Sequence, residues 1–235
     1  MKAVYLKEMR SYLMSAVTYA MIGLFLLLLS IFFYAINLRG QNSDFGATLQ
    51  VGEYYLIIFA PIITMKLLGE EKKNKTEVLL LTSPTSVISV VIGKFFAAVT
   101  IFLSMVLITF IYPAILLIFG TLPMASIIGN YIGFILMGIL FIAIGFLASS
   151  ISESQVLAAV VGIVSLLLLW LVGSLGQGTV GILAQILTWI SPTYRYQGFA
   201  EGRLDITQIV FFITMTAILV YITIVNVERK RWKQG

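Results

Sequence analysis

The sequence predicts an all-α, polytopic membrane protein with six transmembrane helices, and three observations predict it. Sixty per cent of the 235 residues are apolar and only 11% are charged, where soluble domains carry about a quarter charged residues. The apolar residues gather into runs close to the roughly twenty that a helix needs to cross a bilayer, and lipid tolerates such runs only with every backbone group paired internally. The basic residues are also segregated. An even number of spans puts both termini on one side, together with Lys2, Lys7, Arg10, Lys66, Lys72, Lys73, Lys75, Lys94, Arg229, Lys230, Arg231 and Lys233. Only Arg39, Arg195 and Arg203 fall opposite. Loops rich in Lys and Arg stay in the cytoplasm, so both termini are expected there.

The chain reads as one transmembrane domain over residues 1–235. Lys2, Lys7 and Arg10 alternate with Val4, Leu6, Met9 and Leu13 at near-helical spacing. Either an amphipathic helix in the membrane surface or a plain basic anchor fits that pattern. Span one is expected at 15–36, too long for the apolar part of a removed signal peptide. Residues 37–51 are polar, with Gly40, Asn42 and Gly46, and read as a loop. Span two follows at 52–68, and Pro61 inside it removes a backbone bond and marks a kink.

The longest polar interruption comes next, at 69–86. Glu70 stands three residues before Lys73 and Glu71 four before Lys75, so span two can continue outward as a charged helix. Thr76 is placed to cap a further short helix. Leu79, Leu80 and Leu81 cannot share one helical face, and Ser83-Pro84 reads as a cap followed by proline at a first helical position. Span three is set after Lys94, at 95–119, with Pro113 near its far end as a second kink. Span four is expected at 127–149, and its Gly129-x-x-x-Gly133 permits close packing. Ser152-Glu153-Ser154-Gln155 fits a capping box that opens span five at 156–173. Residues 176–206 mix glycines, a short apolar piece at 182–190 and a polar tail; the piece is too short to cross, so a re-entrant or interfacial helix is expected. Span six is expected at 208–225.

The chemistry available is narrow. The chain has neither cysteine nor histidine, which removes thiol nucleophiles, imidazole acid–base catalysis and most transition-metal sites. Gly93-Lys94 is followed by Phe95 and lacks the upstream glycine of a phosphate-binding loop. Glu70-Glu71 lies at a span end among lysines, where a solvated helix end is the simple reading. No catalytic residue, bound cofactor or metal ligand is therefore assigned to this chain. Span interiors read as Ser, Thr, Gly and aromatics, with Lys66 and Lys94 close enough to the cytoplasmic ends to reach the headgroups. The formal charge of +5 is accounted for by topology and implies no nucleic acid.

Three blocks carry a family likeness. The first runs from Pro61 to Lys66, through Glu70-Glu71-Lys72-Lys73 and Lys75-Thr76-Glu77-Val78-Leu79-Leu80-Leu81-Thr82-Ser83-Pro84, to Gly93-Lys94-Phe95. The second is Ser149-Ser150-Ile151-Ser152-Glu153-Ser154-Gln155-Val156-Leu157-Ala158-Ala159. The third is Ser191-Pro192 through Phe199, then Gly202 and Asp205. In order and at matching topological places, these resemble the permease subunits of type-2 ABC exporters, especially the small six-span branch that includes gliding-motility and copper-processing systems. The chain departs from many relatives in having Lys75-Thr76 for Gly-Thr and Arg195-Tyr196 for His-Phe.

The resemblance implies a multi-pass protein of a bacterial cell membrane that forms a pathway as a dimer, with itself or with a related permease or accessory membrane subunit. Separate cytoplasmic ATPase subunits would hold ATP and Mg. The loop between spans two and three would contribute a coupling helix docked on the ATPase, with Glu70, Glu71, Lys72, Thr76, Glu77, Leu80, Ser83 and Pro84 as its contact residues and Pro61 and Pro113 as bending points. The resemblance also implies a surface helix at the N-terminus and short re-entrant helices before span six. Two other readings stay open: an ATP-driven mechanical or scaffold complex that moves no solute, and an ion-coupled carrier. An ordinary basic loop remains the alternative for 69–86.

Overall fold

The computed structural model describes residues 1–73, 86–178 and 181–234, and the side chains at 70–73, 177, 183 and 230–234 lie outside the description. Among the described residues, six helical segments are long and apolar enough to cross a membrane: Ala16–Arg39, Gly46–Gly69, Val87–Phe119, Met124–Ile151, Gln155–Gly176 and Ile206–Arg229.

Helix α1 (Lys2–Leu13) precedes span one, which is α2 (Ala16–Phe32) continued by a π-helical stretch, Phe33–Arg39. Span two is α3 (Gly46–Lys73), unbroken across Pro61. Span three is divided into α4 (Val87–Thr109) and α5 (Ile111–Phe119). Pro113 explains the division: it donates no amide hydrogen, and its ring presses on the carbonyl four residues back, at Thr109. Span four is α6 (Met124–Ile151) and span five is α7 (Gln155–Gly178). Two short helices follow, α8 (Ile182–Ile190) and α9 (Pro192–Ala200), before α10 (Ile206–Gln234).

Spans two and four form the centre. In their most apolar windows 61% and 72% of residues are buried, against 28%, 22% and 11% in spans one, five and six. The outer spans therefore turn large apolar side chains away from the bundle, Leu24, Leu168 and Ile213 among them. Two glycine sites let the central helices close up. A Cβ on Gly145 would collide with Thr64 Oγ1 and sit 3.1 Å from Pro61 Cα, and one on Gly162 would sit 2.9 Å from Pro61 Cβ. The Pro61 ring is thus seated between spans four and five.

Several local readings need correction. The described part of span three begins at Val87, eight residues before 95, and its N-cap is Ser86, whose Oγ accepts from the Ser89 amide at 3.3 Å. Ser83-Pro84 lies outside the described residues. Span five is capped by Ser154, which accepts from Leu157 N at 3.2 Å. Ser152 is buried and donates to Ala148 O at 2.8 Å, as part of the preceding helix end. The cap-plus-proline pattern does operate at Ser191-Pro192, where Ser191 Oγ accepts from Tyr194 N at 3.3 Å. In α1, Leu6 and Leu13 face outward. The face meeting the bundle is Tyr5, Glu8, Met9 and Tyr12, one stripe of a 3.6-residue repeat.

Candidate functional site

The alternation of the helices gathers polar groups at two ends of the bundle. One end joins α1, the last described turns of α3 and the first turns of α4. Tyr12 Oη donates to Ile63 O at 2.6 Å, and Lys66 Nζ donates to Ser15 Oγ at 2.5 Å. Lys94 Nζ donates to Leu67 O at 2.6 Å and to Glu8 Oε1 at 3.0 Å. Tyr5 Oη lies 3.1 Å from Thr100 Oγ1. At Gly93 the backbone of α1 comes so close that a Cβ would stand 3.2 Å from Met1 O.

Lys94 is 1% exposed, so it does not reach for the headgroups. The reason is that α1 brings a carboxylate to it, and the carbonyl of Leu67, in the last turns of α3, completes the cradle. A charge-assisted pair of this length in a sealed site is strong only because both ions are hydrogen-bonded. Lys66 likewise turns inward, to Ser15.

The same end of span two is gripped from the other side. Leu68 N donates to Ser149 Oγ at 3.3 Å, and Gly69 rests against the span-four-to-five turn, where a Cβ would be 3.1 Å from Gln155 Cα. Asn226 Nδ2 of α10 donates to Ser150 Oγ at 3.4 Å. Residues 63–69 are therefore tied to α1, α4 and the 149–155 turn immediately before the charged segment. Glu70, Glu71 and Lys72 belong to the last turn of α3, with side chains outside the description, and Thr76, Glu77, Leu80, Ser83 and Pro84 lie outside the described residues.

The opposite end carries a second network. Asn37 Nδ2 donates to Asn42 O at 2.8 Å and Asp44 O at 3.0 Å, and Thr48 Oγ1 donates to Asn37 Oδ1 at 2.6 Å. Asp44 accepts from Gly46 N at 2.8 Å and from Ser126 Oγ at 2.7 Å. Asn130, buried in span four, accepts from Tyr196 Oη at 3.0 Å and donates to Ala200 O at 3.3 Å. Burial pushes the Tyr196 phenol well above its ordinary pKa, and Glu53 and Asp44 add to the push, so it stays a protonated donor. The Gly129–Gly133 stripe serves this contact: a Cβ at Gly133 would be 2.7 Å from Phe199 Cβ and 2.9 Å from Tyr196 Cδ2. It seats α9 rather than another long helix. Arg195 pins the short helices together by donating to Trp189 O and Gln208 Oε1, each at 2.8 Å, with its guanidinium 4.0 Å from the Phe211 ring.

Span interiors are thus not confined to Ser, Thr, Gly and aromatics. Glu53 in span two and Asn130 in span four are buried. Sequence reasoning passed over Glu53, the second residue of its span two, and placed Lys94 outside its helix, because a charge next to an apolar run reads as a span end. An ionisable residue inside an apolar helix is itself a signal of function, and both residues carry it.

A bundle of six apolar spans with tied polar ends is a multi-pass membrane protein of the permease kind. A protein-family model described as "ABC-2 family transporter protein" matches residues 2–230, and the chain belongs to that family. The family is a membrane transport domain, distinct from an ATPase. No curated protein matches the chain.

Proposed function

We propose that this chain is the membrane-embedded permease subunit of an ATP-driven ABC exporter. It works as a dimer, with itself or with a related permease or accessory subunit, in a bacterial cell membrane with both termini in the cytoplasm. Separate cytoplasmic ATPase subunits hold ATP and Mg, and this chain binds neither.

The observation that carries the reading is the joint at Lys94. One ammonium ties the last carbonyls of span two, through Leu67, to span three and to Glu8 of α1. A force applied to the intervening 69–86 segment therefore reaches both spans and α1 together, as a coupling element requires. Within that segment the contact residues are Glu70, Glu71, Lys72, Thr76, Glu77, Leu80, Ser83 and Pro84. An apolar residue in a charged stretch, Leu80 three positions after Glu77, suits a groove on a partner. Pro61 and Pro113 are the bending points: one ring sits in a glycine-lined seat and the other already interrupts span three.

The test is affinity capture of the ATPase from solubilised membranes. Glu77→Lys combined with Leu80→Asp abolishes capture while membrane insertion is retained. Undiminished capture contradicts docking through this segment.

A further inference from the structure

Glu53 stands about two turns inside span two, at the end of the bundle away from α1. It is 7% exposed, and its Oε2 is sealed from solvent with no hydrogen-bond partner among the described residues. A buried carboxyl group in that condition is costly to ionise, and either a proton or a cation bound beside it relieves the cost. The Tyr196 hydroxyl is already committed to Asn130.

Glu53 lines a pocket of about 200 Å³ between α3, α7 and α9. Tyr54 and Trp170 form one wall, edge to face with ring centroids 6.3 Å apart, and Tyr196 contributes a third ring. Gln50, Thr193 and Gln197 add neutral polar groups, and none of the residues lining the pocket is basic.

We infer that this pocket binds a small organic ammonium group. A single carboxylate among three aromatic residues and neutral hydrogen-bonding groups favours an ammonium, chiefly by charge and secondarily by cation–π attraction to the neighbouring rings. A hard divalent metal favours more than one anionic oxygen ligand, and Glu53 is the one carboxylate among the lining residues, the other oxygens being neutral amides and hydroxyls. An anion would find no cation to meet it. The volume is below the roughly 300–1,000 Å³ of pockets that enclose whole drug-sized ligands, so the pocket fits a headgroup-sized cation. The ammonium can come from a soluble amine or from a phosphatidylethanolamine headgroup. This inference goes beyond the transport reading and does not depend on the 69–86 segment.

The experiment is calorimetric titration of the full chain in phosphatidylglycerol nanodiscs with choline and with its uncharged isostere, 3,3-dimethylbutan-1-ol. Choline binds saturably and the isostere at least about tenfold more weakly, a difference that only a site selective for charge produces. Equal binding of the two, or binding of neither, overturns the inference, and this comparison needs no variant. Glu53→Gln lowers choline affinity by a similar factor, and a folded Glu53→Gln that binds choline like the parent overturns it too. Repeating the titration with phosphatidylethanolamine in the disc separates the sources. A fall in choline affinity assigns the site to the lipid headgroup, and an unchanged affinity assigns it to a soluble amine.

Discussion

Glu8 and Lys94, 86 positions apart in sequence, meet at 3.0 Å, and the lysine also donates to the carbonyl of Leu67 at 2.6 Å. Three segments with no local reason to associate are thereby fixed at one point. Lys94→Met takes from Glu8 its buried cation, leaving it the exposed Lys7 at 3.8 Å, and is expected to cost at most about 3–5 kcal/mol. Pairing it with Glu8→Leu returns most of that loss, because both charges then leave together. Thermal unfolding in detergent measures both. The same double variant, folded, is expected to show reduced permease-stimulated ATP hydrolysis, since the joint is gone.

Gly133→Val is expected to dislodge α9 from span four. Its new side chain meets Phe199 Cβ at 2.7 Å from the Cβ alone, and overpacking of that kind costs about 1–3 kcal/mol. Gly120→Ala is the control, having nothing within 4 Å of the added Cβ, and should change stability by less than about 0.5 kcal/mol. Unfolding midpoints of the two variants decide it.

Pro61→Ala restores an amide donor inside an already continuous helix. The variant should insert and hold or raise its unfolding temperature, yet turn over ATP more slowly in the assembled complex. Unaltered turnover removes Pro61 from the bending role.

Topology is open to chemical labelling because the chain contains no cysteine. Arg203, whose side chain is 79% exposed, lies at the end with α8 and α9, and Lys7, 66% exposed, lies in α1. Arg203→Cys is expected to react with an impermeant maleimide in whole cells, and Lys7→Cys only in inverted vesicles. The opposite pattern reverses the orientation.

What the sequence makes legible follows from how far each signal is averaged. Spans emerge because hydropathy sums over some twenty residues, and the break at Phe110 is visible because Pro113 acts on its own turn. Pairings across the bundle are not legible. Nothing near Lys94 announces Glu8, and a charge beside an apolar run looks like the edge of a span until the fold shows it enclosed. Glu53 was hidden the same way. Gly129-x-x-x-Gly133 announces a close approach without naming what approaches, and the occupant is α9. The expected contact residues from Thr76 to Pro84 rest on sequence and resemblance alone, since they lie outside the described residues.

The central claim is that the 69–86 segment receives force from an ATPase, and site-specific photocrosslinking in native membranes tests it most directly. A photoreactive amino acid in place of Leu80 is predicted to capture a cytoplasmic ATPase polypeptide, while one in place of Arg203 captures none. Crosslinks from position 80 to lipid or to the permease alone would contradict the account.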